Sequence, residues 1–429
     1  MYPSLLSLIY VLMKIASKSA TLVVIAKIGF TAFASPIKWH AMDRGLPPNT
    51  ISGQPASLTL TNKSSEDVNV YWIKYNGVLQ TYGELKSGTT KIQKTFSNSS
   101  WLIQTLDDKP LGYFRTIKGN NFAVIPERVA KVPFRTMQYT SRPSTDAIKW
   151  QKSLRTSLFG LLKINEQTDH KSLSHLNAVK TSSQDKGTYL FHEMELNSTS
   201  NSRIKVVLTV PKNIKFPRPA VIVIDGHSGT RHSCYKDRGF ATLLAEKGYI
   251  TASTKVSQHS LREEDKTMMG ERLLDLIRCV DLLVSMQEVD PKRIGCAGNS
   301  LGGEMTMWLG AMDERISATM SAGFLTTMDQ LEQNHCRCWK FPGIRTLVDF
   351  ADIYCLIAPR PLMCQNGLRE RPTWFTIPIA RQALKEINPI YSDFNASSNL
   401  DFVPHKGGHE IDVPSMFNFF EKHLIQNVK

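Results

Sequence analysis

The stretch Arg293-Ile-Gly-Cys-Ala-Gly-Asn-Ser300-Leu-Gly-Gly-Glu-Met-Thr-Met-Trp308 decides how the chain is read. A short apolar run, Ile294 to Ala297, predicts a buried strand. From Leu301 to Met312, apolar residues Met305, Trp308, Leu309 and Met312 recur at helical spacing. Between them stands Gly298-x-Ser300-x-Gly302, followed by Gly303. A serine held in a sharp strand-to-helix turn needs neighbours without Cβ atoms, because side chains there would collide. Such a turn lifts the serine Oγ above the sheet edge. It also aims the amide of Leu301, at a helix N-terminus, at the place where negative charge would gather on an attacked carbonyl.

Around this stretch the chain alternates strands and helices from Tyr189 onward, the pattern of an α/β layered fold. Tyr189–Leu196 and Lys205–Val210 predict a hairpin. Ala220–Ile224 is apolar at every position, as a strand buried on both faces requires. Helix Phe240–Lys247, strand Tyr249–Lys255 and a long helix, Met268–Glu288, lead into the central stretch. Ile316–Ala322, Pro361–Gln365 and Leu400–Val403 supply later strands, and Met416–Gln426 a closing amphipathic helix.

A serine hydroxyl needs a base, and the base needs orienting. His409 lies in His405-Lys-Gly-Gly-His409-Glu, just past the last predicted strand, with glycines that let the loop fold back over the sheet. His405 is the competing base. For the orienting acid, Arg360-Pro-Leu-Met-Cys-Gln-Asn-Gly367 ends in a turn whose only carboxylate is Glu370; Asp349 and Asp352 precede that strand. The order Ser300, Glu370, His409 is the serine–acid–histidine order of α/β-hydrolases. A second oxyanion donor is expected from Asp225-Gly-His-Ser-Gly229, through the backbone amides of His227 or Ser228.

The motifs Asp225-Gly-His-Ser-Gly, Val289-Asp-Pro-Lys-Arg-Ile-Gly-Cys-Ala-Gly-Asn-Ser-Leu-Gly-Gly, His335-Cys-Arg-Cys, Leu356-Ile-Ala-Pro-Arg-Pro-Leu and His405-Lys-Gly-Gly-His occur in one order. Over residues 148–426 they resemble the acetyl xylan esterase and dienelactone hydrolase-like branch of the α/β-hydrolases. The resemblance implies a cofactor-free serine esterase acting on a carbohydrate or other small ester through an acyl-enzyme. Gly367-Leu-Arg-Glu370 stands where that family commonly has Gly-x-x-Asp. A prolyl oligopeptidase-like peptidase shares the fold and the residue types, and a catalytically inert binding protein is the third reading.

Ahead of this domain, Gly53 to Pro126 carries dense strand and turn signals, including Val68–Tyr75 followed by the hairpin pair Asn76-Gly77. These predict a small antiparallel β-sandwich. Val70-Tyr-Trp-Ile-Lys-Tyr-x-Gly77, Tyr82-x-x-Leu85-x-x-Gly88, Thr95-Phe96 and Trp101-Leu102 resemble the β-domain of the von Hippel–Lindau protein. That resemblance implies a peptide pocket at Tyr82, Thr95 and Trp101, and with it a protein or peptide partner. Phe96 and Ser99 replace the family's tyrosine and histidine there. Residues 127–188 read as a polar linker carrying an amphipathic helix with Trp150, Leu154, Leu158 and Leu161 on one face. Since every candidate catalytic residue lies beyond residue 220, the sandwich is expected to be dispensable for small-ester turnover.

Composition is globular, with 41% hydrophobic and 21% charged residues among 429. The net charge of +14, from 52 Lys and Arg against 38 Asp and Glu, has no nucleic-acid signature beside it and reads as a scattered basic surface. Cys336-x-Cys338 lacks a second cysteine pair and is not read as a metal site. Residues 1–34 read as a targeting segment: Lys14 and Lys18 precede Ala20-Thr-Leu-Val-Val-Ile-Ala, and Ala32-Phe-Ala34 offers a small-x-small cleavage pattern. This predicts secretion or a periplasmic location, with a membrane anchor as the alternative.

Overall fold

The computed structural model describes residues 35–42, 47–127, 135–164, 176–213, 215, 217–371 and 374–426. Residues 1–34, read from the sequence as a targeting segment, and parts of the predicted linker lie outside the described residues.

A nine-stranded sheet forms the larger domain. Its strands are β1 (Val179–Asp185), β2 (Tyr189–Asn197), β3 (Arg203–Pro211), β4 (Arg218–Ile224), β5 (Ile250–Thr254), β6 (Val289–Asn299), β7 (Ile316–Ala322), β8 (Leu362–Gly367) and β9 (Leu400–His405). The spatial order is β1-β2-β3-β5-β4-β6-β7-β8-β9. β1, β2, β3 and β5 pair antiparallel, and every pairing from β5 to β9 is parallel. Two apolar layers cover the sheet. Ala220, Ile222 and Ile224 of β4 pack into one with the helices Ser144–Leu162, Met268–Ser285 and Leu301–Met312. Val221 and Val223 face the other, with the helices Phe240–Glu246 and Val413–Phe420. Burial on both faces is why β4 is apolar from Ala220 to Ile224 rather than alternating.

The predicted strands and helices stand at their expected places within a few residues. β1 was missed and lies inside the stretch read as linker; all seven of its residues are exposed, so no apolar pattern betrays it. Also missed is the helix Ile377–Asp393, which carries Pro378 in its first turn and Pro389 in its interior. Two prolines punctuate its sequence, yet Ile379, Ala383, Ile387 and Ile390 bury one continuous stripe.

The sandwich comprises a four-stranded and a five-stranded sheet. Its core holds Leu58, Leu60, Val70, Trp101, Ile103, Phe114 and Ile125. It is not wholly antiparallel: Pro55–Asn62 pairs with Gly119–Ile125 in parallel register, Ala56 opposite Gly119. Alternation in a sequence reports which face is buried and carries no strand direction. The pocket implied at Tyr82, Thr95 and Trp101 is not formed. Trp101 is only 2% exposed and meets Tyr82 edge-on at 4.8 Å within the core. The space beside the pair is about 10 Å³, hardly enough for one water. Thr95 is likewise buried.

Nor is the sandwich detached. Asn49 Nδ2 donates to Thr376 Oγ1 at 3.4 Å. A Cβ on Gly77, at φ +80°, would come within 3.5 Å of the Pro378 side chain. These contacts fall on the segment Trp374–Pro378, which bears on the site described next.

Candidate active site

β6 ends at Asn299, and the next residue turns into the helix Leu301–Met312. Ser300 has φ 61° and ψ −123°, a region that costs a non-glycine residue roughly 1–3 kcal/mol and is kept where its surroundings enforce it. Enforcement comes from close backbone packing. A Cβ on Gly298 would meet the Gly302 carbonyl oxygen at 2.4 Å, and one on Gly302 would meet that of Ile224 at 2.1 Å. Ser300 N–H donates to Ala322 O at 3.0 Å, which ties the turn to β7.

At the same edge, two loops are zipped together along their main chains. Leu368 N–H donates to His405 O (2.8 Å) and Arg369 N–H to Gly407 O (3.0 Å). Gly367 passes so close to Gly408 that a Cβ would come within 2.1 Å of its oxygen. The zipper brings Glu370 and His409 together, with His409 Nδ1 2.9 Å from Glu370 Oε1. Glu370's side chain is only 1% exposed, against 21% for His409. Two rings hold the imidazole: Phe375 stacks on it at 5.3 Å with 12° between planes, and Trp374 meets it edge-on at 4.8 Å. Asn299 Nδ2 donates to His409 O at 3.2 Å, joining the loop to the residue before Ser300.

Ser300 and His409 line one cavity of about 530 Å³, together with Asp225–Gly229, Lys236, His335, Cys336 and Trp374. No hydrogen bond joins Ser300 Oγ to His409 among the described residues; in ligand-free sites such contacts are often long. The turn Asp225–Gly229 closes with Gly229 N–H to Gly226 O at 2.9 Å, placing His227 and Ser228 at its apex. It abuts the serine, since a Cβ on Gly226 would lie 3.3 Å from Ser300 Cβ. The His227 ring turns away to approach Cys338. Burial, then the charges of His335 and Arg272, hold its pKa down to about 4, so it stays neutral at pH 7.

The competing residues are engaged elsewhere. His405 Nδ1 accepts from Gly407 N–H at 3.2 Å and shapes the loop. Asp349 and Asp352 cap the helix Phe350–Cys355 and bind Arg135 at 3.3 and 3.2 Å. Sequence reasoning gave no role to Trp374, Phe375 and His259 and took His335 only as part of a motif. For Trp374 and Phe375 the one signal was extra length between Glu370 and Pro378.

Residues 159–330 match the acetyl xylan esterase family model, and residues 49–111 match that of the VHL beta domain. The YtaP protein of Bacillus subtilis (strain 168), named as a hydrolase, is 23% identical over 247 residues, which are 50% of this chain and 80% of that protein. A Bacteroides fragilis NCTC 9343 structure described as an acetyl xylan esterase superposes with a TM-score of 0.52 at 17% identity, covering 69% of this chain and 88% of that one. A methylesterase structure superposes with a TM-score of 0.53, at 17% identity and over 71% of each chain. The chain is thus an α/β-hydrolase fold that matches the acetyl xylan esterase family model, preceded by an all-β sandwich that matches the VHL beta domain.

Proposed function

We propose that the protein is a serine esterase that cleaves carboxylic esters of carbohydrates, with Ser300 as nucleophile, His409 as general base and Glu370 as the orienting acid. The observation that carries this reading is the buried Glu370 carboxylate 2.9 Å from His409 Nδ1, in the cavity shared with a strained Ser300. With Nδ1 held as a donor to Glu370, Nε2 is free to take a proton. Ser300 Oγ attacks the ester carbonyl carbon as its proton passes to Nε2. The amides of Leu301 and of His227 or Ser228 receive the oxyanion. Collapse expels the alcohol, protonated by His409, and leaves an acyl-serine. Water, deprotonated by His409, then attacks the acyl carbon and releases the acid and Ser300.

A carbohydrate ester fits a solvent-open cavity whose lining offers the polar side chains of Asp225, Ser228, Ser233, Lys236 and Asn299, and the family match points the same way. No metal or cofactor enters any step. An exported location accords with the leader pattern of residues 1–34. Two measurements on the full chain test the reading: labelling with a fluorophosphonate probe, and turnover of acetylated sugars, hexuronate methyl esters, longer acyl esters and peptides. Labelling of Ser300 and turnover of sugar esters are expected. An unlabelled Ser300 in folded protein sinks the enzyme reading, and peptide turnover alone would make it a peptidase.

A further inference from the structure

The cavity's other wall carries an arrangement that the proposed reaction does not use. His227, in the turn after β4, His259, in the loop after β5, and Cys336 and Cys338, flanking Arg337, come from three separate segments. Their ligand atoms nevertheless all lie within 4.8 Å of one another. His227 Nε2 is 3.3 Å from Cys338 Sγ, and His259 Nε2 is 3.4 Å from Cys336 Sγ. Around a tetrahedral zinc, with Zn–S about 2.3 Å and Zn–N about 2.0–2.1 Å, neighbouring S and N atoms stand about 3.5 Å apart. A thiol–imidazole hydrogen bond accounts for either pair alone. It does not account for both pairs converging on one point.

The surrounding structure holds that convergence in place. Ser257 Oγ donates to Gly229 O at 2.7 Å, linking the two histidine-bearing loops. Buried Arg272 donates to Gln258 O at 2.5 Å, fixing the residue before His259. Trp339, 2% exposed, anchors the cysteine segment. We propose that His227, His259, Cys336 and Cys338 form a tetrahedral two-cysteine, two-histidine site for Zn²⁺, which pins the His227–Ser228 turn beside Ser300. Two thiolates and two imidazoles suit a borderline-soft dication and select against Mg²⁺ or Ca²⁺. With four protein ligands no coordination position is left for water, so the ion is a structural brace rather than a source of hydroxide.

The test uses tag-free full-length protein expressed with zinc and then desalted. One zinc per chain is expected by elemental analysis. Replacement by Co²⁺ should give the strong visible bands and sulfur-to-cobalt charge transfer of a tetrahedral thiolate site. Cys336→Ser, Cys338→Ser and His259→Gln should each weaken Zn²⁺ binding by more than the roughly 10–100-fold that losing an outer partner costs. The wild-type cobalt spectrum needs no variant and stands even where one fails to fold. Substoichiometric zinc, an octahedral cobalt spectrum, unchanged affinity in folded variants, or a Cys336–Cys338 disulfide found by mass would each overturn the proposal.

Discussion

The two walls of the cavity at Ser300 are built on different principles. On one side, His409 and Glu370 are positioned by main-chain bonds between the ends of adjacent parallel strands β8 and β9, and two aromatic rings close over the imidazole. On the other, His227, His259, Cys336 and Cys338 come from loops whose mutual hold rests largely on side chains. Sheet register suffices to assemble the first wall. The second has its own cohesion to find, and a shared ligand is one way to supply it.

Removing the chemistry of the first wall should have the largest effect. Ser300→Ala and His409→Ala should each lower kcat by about 10⁴–10⁶-fold with the fold retained, as judged by circular dichroism. His405→Ala, by contrast, should be mild; a dead His405→Ala beside an active His409→Ala would reverse the assignment of the base. Glu370→Gln should cost less, about 10²–10⁴-fold in kcat, because in the proposed mechanism it orients the base without touching substrate. Full activity in that variant would detach the acid from the wall.

Next come effects on stability. Phe375, 1% exposed and stacked on His409, should cost about 3–5 kcal/mol on replacement by alanine, read from denaturant unfolding. A loss below about 1 kcal/mol would mean the ring is not part of the wall's packing.

Beneath the second wall lies Glu304, on the helix after Ser300, whose carboxyl is fully buried and facing Arg272. Burial raises its pKa from 4.5 to about 8, against the opposing pull of Arg272. The folded protein therefore keeps this proton until about pH 8, whereas the unfolded chain releases it near 4.5. Between those values the folded state binds more protons, so stability should fall as pH rises. Glu304→Gln should flatten that slope in pH-dependent unfolding. An unchanged slope would assign it to other groups.

The smallest effect is expected where the sandwich meets the first wall. Asn49→Ala should cost about 1–2 kcal/mol and change small-ester kcat little, since the hydrogen bonds from its Nδ2 to Thr376 Oγ1 and Tyr75 O are removed. Deleting the sandwich removes the contacts it makes to Thr376 and Pro378. A kcat loss in that truncation, absent in Asn49→Ala, would extend the first wall into the sandwich.

Much of this was legible because it is local. The strained serine turn follows from Gly298, Gly302 and Gly303, which admit a backbone approach that any Cβ would block. β4 announced itself because its run Ala220–Ile224 is buried at every position, and the order of serine, acid and histidine placed all three at one sheet edge. Glu370 was singled out as the only carboxylate on its turn, and the structure sets its Oε1 2.9 Å from His409 Nδ1.

What stayed hidden depends on segments far apart in sequence. β1 pairs through its backbone with all of its side chains in solvent, so no periodicity marks it. Parallel pairing of Pro55–Asn62 with Gly119–Ile125 leaves the same alternation that antiparallel pairing would. Tyr82 and Trp101 share their motif with a binding pocket, but only packing shows that they fill a core. The pair Cys336-x-Cys338 lacks a partner pair in its own neighbourhood. Its partners are two histidines 77 to 111 residues away, brought near because parallel strands deliver their following loops to one edge of the sheet. Sequence alone determined the buried strands and amphipathic helices around the serine turn, and the turn itself, whose causes lie within a few residues. Tertiary structure decided which loops meet over Ser300, because sheet order and register set those distances and neither is written in any one segment.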